Sequence, residues 1–217
     1  MSRLLLAASC LLVAGCTSLQ RYGTARTLAP SEVSVHAAVD VVEGYEPQLG
    51  ETFDAALPAA PRLGARFGVA GWTEVGLELA PVHGTFDVKQ QLVRSSRFDL
   101  ALAPALTAGW IDDTQLEGLV LVQLPVVFGI HATDWLTVVP QVSAGYGWRE
   151  AERLWPEDRA WQGSALVGGG LGLFVRIADT FALQPLVGMT FEPDSGYRYT
   201  SGGLALFYGA QPGRGAR

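Results

Sequence analysis

Three histidines, His36, His83 and His131, are the first residues to weigh as chemistry. A metal site needs several histidine, cysteine or carboxylate donors brought to one point. None of the three has a second histidine or a cysteine at ligand spacing, so each is expected to serve as an ordinary polar side chain, with no metal and no cofactor. "GGGLG" at 168–172 lacks the spacing and the following helix of a phosphate-binding loop and reads as a glycine-rich strand. The adjacent acids Asp112 and Asp113 could form a catalytic pair at a rim. No catalytic residue is assigned.

Cys16 offers a different chemistry. An apolar run from Leu4 to Gly15 follows a single basic residue, Arg3, and stops at Cys16 and Thr17. It is too short for a spanning helix, which needs about 20 apolar residues, and it has the form of a secretory signal. Val13-Ala14-Gly15-Cys16 resembles the bacterial lipoprotein box, an aliphatic and two small residues before a cysteine. The resemblance implies cleavage before Cys16 and lipid on that residue. Cys10 would leave with the signal, so the mature chain would have one cysteine and no internal disulfide. Thr17 in place of an aspartate after the lipid cysteine implies, in that family, an outer-membrane address. The expected divisions are a signal at 1–15, a lipidated tether at 16–31, a barrel at 32–210 and a flexible tail at 211–217. Residues 17–31 carry small and polar residues and a proline, which suits a tether.

The net charge of -6 and the absence of a basic stripe exclude nucleic acid as an expected partner. Lys89 is the sole lysine and asparagine is absent, which fits a GC-rich genome more than a task.

The elements that would have to position any site are strands. From residue 32 onward apolar and polar residues alternate with period two, turn residues punctuate the alternation, and no capped 3.6-residue period appears. Ten strands are expected, at 32–41, 62–69, 73–81, 86–93, 97–109, 115–131, 135–149, 160–177, 181–192 and 198–208. "AGWTEVGLEL", "SSRFDLALAP", "ATDWLTVVPQ" and "ADTFALQPLV" each set a tight turn beside an aromatic that opens a strand. The fold class expected is all-β: a closed, antiparallel, up-and-down transmembrane β-barrel of about ten strands.

Side-chain size decides which face is inside. The apolar faces carry bulky Leu, Val, Phe and Trp, while the polar faces mix charge with Gly, Ala and Ser. Large apolar groups suit lipid and small or charged ones suit a lumen. The lumen is expected to hold His36 and Asp40 from the first strand, then Arg62 and Arg66, then Glu74 and Glu78. It continues with Asp87 and Lys89, Arg97 and Asp99, and, further on, Glu117, Arg149, Arg176 and Glu192. Arg66 is expected to lie diagonal to both Glu74 and Glu78. An aromatic girdle is expected from Trp72, Phe98, Trp135, Phe181, Trp148 and Trp161. Pro104, Pro125, Pro140 and Pro185 fall within strands, where a missing donor demands a bulge or local break.

An even strand number puts both ends of the barrel on one side. With the lipid tether there, that side would be the periplasm, together with the short turns at 70–72, 94–96, 132–134 and 178–180. Beyond residue 31 the chain resembles small outer-membrane β-barrel proteins by pattern. A ten-stranded lumen is narrow, and Arg66, Glu78, Phe174 and Arg176 would largely fill it. The expected function is a non-enzymatic outer-membrane lipoprotein in a structural or narrow-pore role. Its partners would be outer-membrane lipids and at most a small solute or ligand of unspecified identity. The alternative is a soluble, lipid-anchored periplasmic barrel that binds a small apolar ligand. An outer-membrane protease is a lesser reading: Asp112-Asp113 resembles the acidic residues of the ten-stranded proteases, but those also need an acid beside a histidine, and no Asp-x-His occurs. A lipid A-modifying enzyme would need polar groups at the lipid boundary, and the outward faces carry almost none.

Overall fold

In the computed structural model, residues 21–46, 51–53, 60–81, 83–110, 118–151 and 160–211 are described. The strands are β1 Val33–Glu46, β2 Glu51–Phe53, β3 Ala60–Ala70, β4 Thr73–Leu79, β5 His83–Arg94, β6 Phe98–Leu102, β7 Ala105–Trp110, β8 Gly118–His131, β9 Leu136–Ala151, β10 Ala160–Ala178, β11 Phe181–Phe191 and β12 Arg198–Gly209. Each pairs antiparallel with its neighbour. β2 and β3 lie end to end against β1, and β6 and β7 lie end to end between β5 and β8, so the sheet has ten staves. It closes through β12 and β1, from Ser34 opposite Gly209 to Tyr45 opposite Arg198. Closure leaves no open edge, which is what a sheet in hydrocarbon requires, because an unpaired backbone group there costs several kcal/mol.

The prolines sit where the ladder is interrupted. Pro104 separates β6 from β7, and Pro125 lies opposite that break, its carbonyl accepting from the Ala103 amide at 2.9 Å. Pairing of β8 with β9 is interrupted between Val127–Gln141 and Ile130–Val138, beside Pro140. Pairing of β10 with β11 is interrupted between Gly172–Leu186 and Val175–Leu183, beside Pro185. The imino nitrogens thus face gaps in the ladder.

The bulky apolar side chains face outward. Val122 and Leu171 are each 47% exposed, and Leu63, Val187 and Tyr208 more so, while Glu74, Asp99 and Gln184 have no exposure at all. This is the inverse of a soluble barrel and the arrangement of one that spans a membrane. It removes the reading of a soluble apolar-ligand carrier, whose greasy faces would line the inside. One outward polar residue, Gln90, is satisfied by the Thr73 hydroxyl on the next strand at 2.7 Å. Trp72 and Trp135 lie exposed at the short-turn end with half-buried Phe98 and Phe181, and Trp148 and Trp161 lie toward the opposite end of β9 and β10.

Residues 21–28 depart from the expectation of a tether. They enter the lumen: Tyr22, Ala25, Thr27 and Leu28 are 2% exposed or less, and Arg21 and Thr24 are also buried. The reason is partnership rather than composition. A flexible polar segment is free only where nothing pairs its backbone, and here the inner wall does so at almost every residue. The signal, Cys16 and the tail beyond residue 211 lie outside the described residues.

Candidate functional site

The lumen and the strap formed by residues 21–28 are the candidate site. Alternation on β1, β3, β4, β5 and β6 turns every second residue inward, and on these strands the inward residues interleave charged side chains with small and polar ones. Near the loop-side end Arg62 binds Glu78 at 2.8 Å and pairs with Asp40, and His36 Nε2 meets the second Glu78 oxygen at 3.1 Å. Deeper in, Arg66 donates to Glu74 at 2.8 Å and to both oxygens of Asp87 at 3.1 Å, and Lys89 reaches Glu74 at 2.9 Å. At the short-turn end Asp99 is held by His131 at 2.6 Å.

The register sets Arg66 opposite Gly76, diagonal to both Glu74 and Glu78 as the sequence reading has it; of the two it binds Glu74, together with Asp87, and Glu78 goes to Arg62. One detail differs. Arg97 does not face the lumen. It is exposed in the turn between β5 and β6, where the strand alternation has ended. Arg176 is half-buried on β10 and Glu192 is buried just beyond β11. Glu117, the Arg149 side chain, and Asp112 and Asp113 lie outside the described residues.

The strap completes this charge pattern. Among the ion-paired side chains of β1 to β6, Asp40, Glu74, Glu78, Asp87 and Asp99 meet Arg62, Arg66 and Lys89, with His36 on Glu78, and half-buried Arg94 stands opposite Asp99. The strap supplies two more cations. Arg26 makes a two-point contact with Asp99 at 2.8 and 3.1 Å, and Arg21 lies 4.0 Å from Glu78. Tyr22 packs its ring under the Arg62 guanidinium, 5.0 Å from the ring centre, and donates its hydroxyl to Asp40. Buried charges persist only when paired and hydrogen-bonded, and the strap adds two cations, Arg21 and Arg26, to the carboxylates of this wall.

The strap backbone is gripped by side-chain amides. Gln141 accepts from the Arg21 amide at 3.0 Å and donates to its carbonyl at 3.2 Å, and Gln184 does the same for Gly23 at 2.7 and 3.3 Å. Each glutamine therefore acts as a one-residue strand partner. Gln91 accepts from the amide and hydroxyl of Thr27, and Glu74 accepts from the Leu28 amide at 3.0 Å. Lys89 donates to the carbonyls of Thr24 and Arg26. Glycines make the room. A side chain at Gly203 would overlap the Tyr22 hydroxyl, and one at Gly68 would overlap the Ala29 carbonyl.

The opposite wall is apolar. Val127, Val139, Phe174, Leu186 and Phe207 form one buried cluster with Tyr22 and Ala25 of the strap. The ring of Phe174 meets that of Phe207 edge-on at 5.3 Å. Beside the strap remains a void of about 10 Å³, room for at most one water.

Thr137, His131 and Asp99 lie in hydrogen-bond order, 2.9 Å from hydroxyl to ring and 2.6 Å from ring to carboxylate, the sequence of contacts seen in a hydrolase triad. Here Asp99 is also bound by Arg26 and Gln91. The chain of contacts fastens the strap to the wall. Among the described residues no cluster of histidine, cysteine and carboxylate could hold a metal.

Sequence reasoning found the charged wall and missed Arg21, Tyr22 and Arg26, together with the glutamines that hold the strap: Gln91, Gln141, Gln184 and Gln123, which accepts from the Arg21 guanidinium at 3.3 Å. The legible signal was the row of glutamines on the polar faces of β5, β8, β9 and β11.

No family model matches the chain, and no curated protein matches it. Solved structures similar to it include Ail, the attachment invasion locus protein of Yersinia pestis, at 10% identity and TM-score 0.43 over 82% of this chain and 98% of that one. Neisserial surface protein A is similar at 8% identity and TM-score 0.43, over 81% of this chain and 96% of that one. The outer membrane protease OmpT of Escherichia coli is similar at 8% identity and TM-score 0.46, over 86% and 100%. The fold itself rests on the closed ladder: the chain is a ten-stave antiparallel β-barrel.

Proposed function

We propose that this chain is a non-enzymatic outer-membrane barrel lipoprotein, lipid-anchored at Cys16, whose lumen is sealed by its own residues 21–28 and whose role is structural in the cell envelope. The observation that carries the reading is the strap: among the described residues it pairs with the charged wall on one side and packs on the apolar wall on the other, filling the space between them. The outward apolar residues supply the membrane-facing surface, and short turns with the barrel's two strand ends on one side suit a periplasmic face. The signal and cysteine motif support lipidation.

Three measurements test it. The protein stays in membranes after urea or alkaline washing and migrates faster unboiled than boiled. It takes up an alkyne-tagged fatty acid, and Cys16→Ala abolishes the uptake. In planar bilayers the purified protein gives no steady conductance; a steady conductance would replace the sealed barrel with a channel.

A further inference from the structure

The outward face of the barrel is not evenly filled. On the staves around β1 the register places Ala65 between Leu77 and Val35 on one rung, and Ala37 between Leu63 and Leu206 on the next. Strand alternation turns all of these side chains away from the lumen. Ala37 and Ala65 are diagonal neighbours across β1 and β3, and each ends at its Cβ among leucine, valine and tyrosine. The result is a groove of about 530 Å³ with an alanine floor. Leu77 and Leu79 of β4 wall it on one side, and Leu206 and Tyr208 of β12 on the other. That volume is within the range of about 300–1,000 Å³ typical of small-molecule sites. The outward side chains that line it are apolar apart from the Tyr208 hydroxyl.

The groove is continuous with the membrane-facing surface, so its occupant comes from the bilayer core. A second barrel does not fit it. Leu63 and Tyr208, each 65% exposed, rise on the two staves that flank β1. A convex partner would rest on them and leave the floor empty, whereas a flexible hydrocarbon chain drops between them. The gain is one of packing. A chain on the floor makes the dispersion contacts that a gap forfeits, while moving it there from the surrounding lipid brings no hydrophobic gain, because lipid tails are as apolar as leucine. The groove therefore selects its chain by shape. It lies in the short-turn half of the belt, since Val35 is the third residue of β1 and Tyr208 the last but one of β12.

We infer that this groove is a binding site for one acyl chain of a membrane phospholipid, in the leaflet on the side of the short turns. Only the spanning barrel is needed for this, and neither Cys16 nor a lipid on it takes part.

The test uses the full-length protein folded into phosphatidylcholine vesicles that contain a small fraction of phosphatidylcholine with a diazirine in its acyl chain. After irradiation the adducts are mapped by peptide mass spectrometry, and folding is followed by the mobility of unboiled protein. Adducts are expected to concentrate around Ala37 and Ala65, above the level at Ile130 and Leu173, which face outward in the same half of the belt. Filling the floor with Ala37→Leu and Ala65→Leu together should bring the groove down to that common level. Leu63→Ala, which lowers a wall and leaves the floor alone, should remove part of the excess and serves if the filled variant does not fold. Adducts spread evenly over the outward faces, or an excess that survives both variants, overturn the inference and leave the spanning barrel intact. A dimer in detergent by analytical ultracentrifugation, dissolved by filling the floor, would make a second copy the occupant and overturn it as well. Absence of adducts from every outward face would overturn the spanning barrel and the inference with it.

Discussion

The wall made by β1 and β3 to β6 meets the strap with carboxylates, guanidiniums and an ammonium, whereas the wall made by β8 to β12 meets it with aromatic and aliphatic groups and three amides. Both walls are built by the same period-two alternation. They differ in what their burial demands. An apolar side chain gains by leaving water, about 25 cal/mol for each Å², and tolerates any neighbour of fitting shape. A buried charge gains nothing unless a partner of opposite sign stands at hydrogen-bonding distance. The apolar wall therefore accepts the strap as filler, while the charged wall specifies it, fixing which residue lies at which height.

Removing the strap should break the comparison most completely. A chain lacking residues 21–28 keeps its barrel ladder but exposes the charged wall and removes the two cations, Arg21 and Arg26, that meet Glu78 and Asp99. It should conduct steadily in planar bilayers and prefer cations over anions; a silent or anion-selective variant would contradict the charge balance.

Next in size comes Glu74→Ala. It leaves Arg66, Lys89 and the Leu28 amide short of their common acceptor, and should cost about 3–5 kcal/mol in urea unfolding from vesicles. Phe174→Ala on the apolar wall should cost about as much, 3–5 kcal/mol, by a cavity and not by an orphaned charge. The two losses are separable, because Phe174→Leu should recover most of the second while Glu74→Gln recovers little of the first.

Gln184→Ala should have a smaller effect, about 1–3 kcal/mol, since it unpairs the amide and carbonyl of Gly23 without stranding a charge. Its clearest sign would be faster amide exchange at Gly23 than at Thr27. Smallest of all is Arg97→Ala, within about 0.5 kcal/mol. A loss as large as that of Glu74→Ala would show that Arg97 belongs to the buried wall after all.

The barrel was legible because alternation is a local property. Val33 to Val41 declare an outward face by themselves, and the same holds for Leu63 and Phe67 or Val187 and Met189. Side-chain size then settled which face meets lipid. The inward charges followed from the same parity, with one failure at Arg97, where the pattern was carried one turn too far. The strap was not legible in this way. Arg21, Tyr22 and Arg26 sit in a stretch without periodicity, and nothing next to them in sequence reveals that they meet Glu78, Asp40 and Asp99. Their partners are between 18 and 73 residues away, so only closure of the sheet brings them together.

By itself the sequence determined a ten-stave barrel with an oily exterior and a charged, small-residue interior, because both properties are written in neighbouring residues. Only the tertiary structure decided that residues 21–28 are a seal with a direction and not a leash. The reason is that unpaired buried charge and unpaired backbone are costs of the closed lumen as a whole, and a segment that local pattern leaves free is recruited to remove them.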